Sequence, residues 1–276
     1  MMVLSRRNWM LSVQPAPVAV RVCAVPVTLS EGVGSVKRPI REHRPPGGAS
    51  RRDRRSEIDT PEEDPIERRP TIQAAGVVAG ILVLGVSTLL LGRPHQVVPN
   101  WEQSAFHRVN GLSDAWRLPL VIEMQLGTLP AIVVVAGGLY VSGRRRGAAA
   151  AATAGILAWA VAKWVKVVVG RGRPADLLDQ VRLRQAHFTG LGFVSGHTAV
   201  SFALATVVTP HLRGRWRIVP LALASLVGFA RMYVGAHLPL DVAGGAGLGI
   251  ACGSIATWAF GQPPPSTASG RSLERA

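Results

Sequence analysis

Hydrophobic positions divide the chain at about residue 70. Before it they are scattered among prolines and charges. After it they form runs long enough to cross a bilayer, which takes roughly 20 apolar residues per helix. The first run is TIQAAGVVAGILVLGVSTLLL, residues 71–91. Further runs cover about 118–141, 147–169, 194–212, 216–235 and 238–260. The pattern predicts an all-α, polytopic membrane protein with six transmembrane helices over residues 71–260. AAAAATAG, at the start of the third run, favours close helix packing, as do the glycines of AGGAGLG in the sixth.

The flanking segments read differently. REHRPPGGASRRDRRSEIDTPEEDPIERRP has little to bury, so residues 1–70 are expected to be a disordered cytoplasmic tail. Residues 8–30 are mildly apolar, but Pro15 and Pro17 interrupt the core that a signal peptide needs. Residues 261–276 make a short flexible tail rich in Pro and Ser. Cys23 and Cys252 lie far apart and suggest neither a disulfide framework nor a metal cluster.

The whole chain has 276 residues and a formal net charge of +15. No nucleic-acid recognition motif accompanies that charge, so arginines flanking membrane spans are the simpler account. Arg68 and Arg69, Arg144 to Arg146, and Arg213, Arg215 and Arg217 all fall on one predicted face. The positive-inside tendency marks it as cytoplasmic and makes the protein a multi-pass plasma-membrane protein with both termini inside. Arg171, Arg173, Arg182 and Arg184 oppose that assignment from the outer face. Trp101, Phe106 and Trp116, in the connection after the first run, suit the membrane interface.

Three polar groups converge on the outer face. KVVVGRGRP holds Lys166, Arg171 and Arg173; FVSGHTAVSFA holds Ser195, Gly196 and His197; RMYVGAHLPLD holds Arg231, His237 and Asp241. Ionisable groups at span ends are costly unless partnered, and therefore mark function by default. Lys166, Arg173 and Arg231 together call for an anion, and guanidinium forks match phosphate oxygens. Ser195 and Gly196 open a predicted helix, whose free N–H groups bind phosphate well. His237 and Asp241 stand four residues apart and share one helix face. A carboxylate on one ring nitrogen leaves the other free to attack, and His197 is placed to protonate a leaving oxygen.

Each residue also has an ordinary reading. Arg231 suits a snorkelling anchor, and His237 with Asp241 a structural hydrogen bond. Lys166 suits a boundary residue, Arg171 an interface charge, Ser195 a helix cap. Glu123 suits an arginine partner, and His187 a plain loop residue. Joint occurrence at one face favours the functional reading.

The motifs identify a resemblance to the membrane branch of the type 2 phosphatidic acid phosphatase (PAP2) superfamily. Lys166 to Pro174 keeps the family spacing of Lys, six residues, Arg-Pro. Val194 to His197 reads VSGH, with Val194 where proline is usual. Ala230 to Asp241 keeps the Arg, His and Asp spacing, with Ala230 in place of the usual serine. The resemblance implies a PAP2-type helical bundle that needs neither metal nor cofactor. It implies His237 as nucleophile and Asp241 as its orienting acid. His197 would be the general acid, with Lys166, Arg173, Ser195, Gly196 and Arg231 binding phosphate.

The implied substrate is a lipid phosphate or diphosphate drawn from the bilayer, and the Ala, Gly, Val and Arg bias makes polyprenyl diphosphate the first candidate. A second reading keeps the fold but passes the phosphoryl group to a lipid or sugar hydroxyl. A third takes the chain as a non-enzymatic membrane protein that binds anionic lipid. Nothing in the pattern points to a particular oligomeric state.

Overall fold

The protein begins its ordered bundle with a long apolar helix and ends it with another, packed antiparallel to the first. The structure is a computed structural model that describes residues 68–92, 96–185 and 189–261. Residues 1–67 with Cys23, His187, and residues 262–276 lie outside the described residues, and with them most of both expected tails.

Among the described residues every regular element is helical. The α-helices are α1 (Arg68–Leu90), α2 (Asn100–Asn110), α3 (Arg117–Glu123), α4 (Leu129–Val141), α5 (Arg145–Val169), α6 (Pro174–Leu177), α7 (Gly196–Val208), α8 (Ile218–Tyr233) and α9 (Pro239–Phe260). A 3₁₀ turn, Met124–Gly127, joins α3 to α4.

The expectation of six transmembrane helices is corrected. Among the described residues, three stretches are long and apolar enough to cross a membrane: Thr71–Leu90, Arg145–Leu177 and Pro239–Phe260. A fourth crossing arises only if Asp114–Gly127 and Leu129–Val141, bent by 66° at their junction, are counted as one span. At 1.5 Å per residue, the 13 residues of α7 and the 16 of α8 reach about 20 and 24 Å, against a hydrocarbon core of about 30 Å. Hydropathy alone could not separate these helices from spans: the apolar residues of α7 serve the protein interior, while those of α8 are divided between the interior and an exposed face with Ile218, Leu223 and Leu226. Ala199, Val200, Ala203, Leu204 and Val207 of α7 are all buried.

Small residues bring the helices together. Ala150, Ala154, Ala158 and Ala162 recur every four residues along α5 and are buried in the main core. Gly245, Gly249 and Gly253 make a similar stripe on α9, where an added Cβ would strike the backbone of α7 at Ser195, Ala199 and Ala203. Gly80 of α1 meets Gly247 and Ala251 of α9 in the same way. The AGGAGLG glycines therefore serve helix packing.

The chain direction follows from these contacts. α5 and α8 end, and α7 and α9 begin, at one end of the bundle. Arg144 to Arg146 and Arg213 to Arg217 fall at the opposite end, with the start of α1.

Candidate active site

Each of the three motifs occupies a helix terminus, where backbone groups lack intrahelical partners. α5 stops at Gly170, whose φ of 68° is the left-handed conformation that suits glycine. The chain can therefore turn directly after Lys166. Ser195 caps α7, accepting from Thr198 N–H at 3.5 Å and from the Thr198 hydroxyl at 2.9 Å. Asp241 sits in the first turn of α9, where its Oδ2 accepts from Leu238 N–H at 2.9 Å.

Backbone and side-chain bonds join the three segments. Gly192 N–H donates to Arg171 O at 2.7 Å, an approach that a Cβ on Gly192 would block against Gly172 O. Ser195 N–H donates to Asp241 O at 2.8 Å. Lys166 Nζ donates to Leu191 O at 3.0 Å and Gly192 O at 2.8 Å. Arg173 donates through Nε to Thr189 O and Gly190 O, and through Nη1 to Ala236 O at 3.0 Å. These bonds fix the cationic side chains to the loops that carry the histidines.

All eight residues singled out from the sequence thus gather at one end of the bundle. Ser195, Arg231, His237 and Asp241 are buried, while Lys166, Arg173, Gly196 and His197 are half-buried. His237 Nδ1 lies 3.5 Å from Asp241 Oδ2, close enough to pair but not a formed hydrogen bond. Such contacts commonly tighten only when substrate is bound. The Arg231 guanidinium contacts Met124 Sδ at 3.5 Å.

Burial, and then the nearby charges of Arg231, Lys166 and Arg173, depress the His197 imidazole to a pKa of about 3. Burial and the same cations, Lys166 first, hold His237 neutral as well. Neutral imidazole is the form a nucleophile needs, whereas a general acid needs the proton. A bound phosphate would offset the three cations and favour imidazolium, so its arrival raises the His197 pKa. Histidine NMR titration in micelles is therefore expected to show His197 titrating at higher pH with inorganic phosphate bound than without. By linkage, phosphate binds more tightly as pH falls toward that value. An identical His197 titration in both states would contradict this coupling.

The two departures from the family motif have structural counterparts. Val194 is fully buried in the main core, where an added Cβ on Gly244 would press against Phe193 and Val194. Ala230 is fully buried in an apolar cluster with Leu120, Met124, Val227 and Tyr233. Both side chains therefore contribute packing.

Sequence reasoning missed the most buried charges. Arg171, read as an interface charge, is fully buried between Glu102 of α2 and Asp241. The available signal was the spacing of Glu102, Phe106 and Asn110, which lie four apart on the buried face of α2. Arg184 is also buried. It donates to the carbonyls of Asn110, Leu112 and Tyr233, pairs with Asp114 at 2.7 Å and stacks on the Tyr233 ring. Glu123 makes no ion pair among the described residues. No three His, Cys, Asp or Glu side chains among the described residues gather to hold a metal ion. Trp101, His107 and Arg108 lie exposed on α2.

Fold and site together define a helical membrane protein with a cationic, histidine-bearing polar centre at one end of its bundle. Residues 147–264 match the PAP2 superfamily, which places this segment of the chain in that superfamily. It is similar to the lipid A 4'-phosphatase of Bacteroides thetaiotaomicron, 35% identical over 94 residues, which are 31% of this chain and 41% of that protein. The chain thus matches less than half the length of that relative. The fold is similar to the crystal structure of Aquifex aeolicus LpxE, with a TM-score of 0.51 and 25% identity, covering 59% of this chain and 99% of that one. It is also similar to a transmembrane PAP2-type phosphatidylglycerolphosphate phosphatase from Bacillus subtilis. There the TM-score is 0.51 at 21% identity, covering 69% of this chain and 94% of that one.

Proposed function

We propose that the protein hydrolyses a lipid phosphate or diphosphate through a phosphohistidine on His237, without a metal ion. The observation that carries this reading is the convergence of Lys166, Arg173 and Arg231 on a His237–Asp241 pair and His197. Asp241 faces Nδ1, so Nε2 of His237 is the attacking atom. Nε2 bonds to phosphorus as the ester oxygen departs with a proton from His197. Neutral His197 then takes a proton from water, whose oxygen displaces His237 and releases phosphate. Lys166, Arg173, Arg231, the Ser195 hydroxyl and the Gly196 N–H stabilise charge on the phosphoryl oxygens.

The Bacteroides relative acts, by its name, on the 4'-phosphate of a lipid, which supports a lipid phosphate as the substrate class. Polyprenyl diphosphate remains a candidate within it. We place the site on the extracytoplasmic side, because the arginine-rich turns lie at the other end of the bundle. Arg171 is neutralised in buried ion pairs and Arg184 pairs with the exposed Asp114, so they weigh little against that orientation.

The test is phosphate release from a panel of lipid phosphates and diphosphates in detergent, with a metal chelator present. Release from at least one lipid is the expected result. No release from any, or release only after a divalent metal is restored, overturns the proposal.

A further inference from the structure

Glu102 and Arg171 are fully buried, yet the chemistry above gives neither of them a part. The Arg171 guanidinium grips Glu102 with two donors, Nη2 to Oε2 at 2.6 Å and Nη1 to Oε1 at 3.1 Å. The same Nη1 lies 3.0 Å from Asp241 Oδ1. Glu102 Oε1 also accepts from Leu240 N–H at 2.9 Å, beside Asp241 in α9. Both oxygens of each carboxylate therefore have a partner, and neither group can turn without breaking a buried, charge-assisted bond.

We propose that Glu102, acting through Arg171, is a positioning residue for His237. It shares the guanidinium with Asp241, so that the two carboxylates keep one net negative charge beside His237 and Asp241 keeps its aim at Nδ1. The proposal rests on the phosphohistidine reading above. Two carboxylates around one guanidinium leave one net negative charge in a site without solvent. Without Glu102, Arg171 and Asp241 would neutralise each other. The positive charge that develops on the His237 ring during attack would then lack its counter-charge.

Bonds on either side of Glu102 hold its segment in place. Gln96 straddles Arg171, donating to Gly170 O at 3.1 Å and accepting from Gly172 N–H at 3.3 Å. At the far end of α2, Asn110 donates to Arg182 O and Tyr233 O and accepts from Arg182 N–H at 2.8 Å. The Glu102 carboxylate itself is held by Arg171 and by Leu240 N–H, so the Asn110 bonds fix the far end of α2 and not the triad contact.

The test compares Glu102→Gln with wild type, using the full chain in detergent. Turnover is read on the lipid phosphate that wild type hydrolyses fastest. The His237 tautomer is read by ¹⁵N NMR of histidine-labelled protein, which needs no turnover. Glu102→Gln is expected to lower kcat by about 10- to 100-fold and to change KM by less than about twofold. The single Nδ1–H tautomer of wild type becomes a mixture. Asn110→Ala, which loosens the other end of α2 without touching the triad, keeps wild-type kcat and tautomer. Should Glu102→Gln not fold, Arg171→Lys, which keeps the charge but cannot bridge both carboxylates, is read by the same two measurements with the same expectations. Wild-type kcat and tautomer in the triad variant overturn the proposal, as does an Asn110→Ala variant that reproduces its losses. If wild type releases no phosphate from any lipid, the phosphohistidine reading fails, while the tautomer comparison still decides for or against Glu102.

Discussion

His237→Ala is expected to slow phosphate release from lipid by about 10⁴-fold or more. Removing the imidazole takes away the atom that bonds to phosphorus, and nothing nearby replaces it. His197 is the other imidazole beside the cations, and its proposed role requires it to carry a proton during attack. Phosphate binding should survive, because Lys166, Arg173 and Arg231 are untouched and become less crowded with basic groups. The measurement is single-turnover phosphate release, paired with acid-sensitive phosphoryl labelling of the protein. Wild type labels and turns over, and the variant does neither. Turnover in His237→Ala at the wild-type rate would exclude a phosphohistidine intermediate.

Arg171→Met is expected to destabilise the fold by about 3–5 kcal/mol as well as to inactivate it. The substitution preserves apolar bulk but leaves Glu102 and Asp241, both fully buried, facing one another without a cation. Thermal unfolding in detergent should show a Tm lower by roughly 10 °C. Adding Glu102→Gln to Arg171→Met removes one of the two stranded charges, so the double variant should recover part of that loss. Its turnover should stay low, since the positioning of Asp241 is not restored. An Arg171→Met protein with the wild-type Tm would mean that the triad contributes nothing to folding.

Much of the candidate site was legible in the sequence, because its signal is local. The spacings within KVVVGRGRP, VSGH and ARMYVGAHLPLD each span no more than 12 residues, and each motif sits at a helix end. Helix ends show in a sequence as polar residues between apolar runs. The spans were less legible. The expected runs at 194–212 and 216–235 do hold α7 and α8, but apolar residues facing the protein interior look the same in sequence as apolar residues facing lipid. The break at Met124–Gly127 was equally hidden, since the bend falls within an apolar run.

The sequence by itself determined the helical class, the polar helix termini and the residue types that can hold and attack a phosphate. These follow from periodicity and short spacing, which are properties of neighbours along the chain. Only the tertiary structure decided which helices are long enough to cross a membrane and which close the core. It alone placed Glu102 against Arg171, 69 residues away, and Arg171 against Asp241, 70 residues further on. The reason is burial. A charge in an amphipathic segment gains a role only when folding removes water from around it, and which partner then neutralises it depends on where distant helix ends meet.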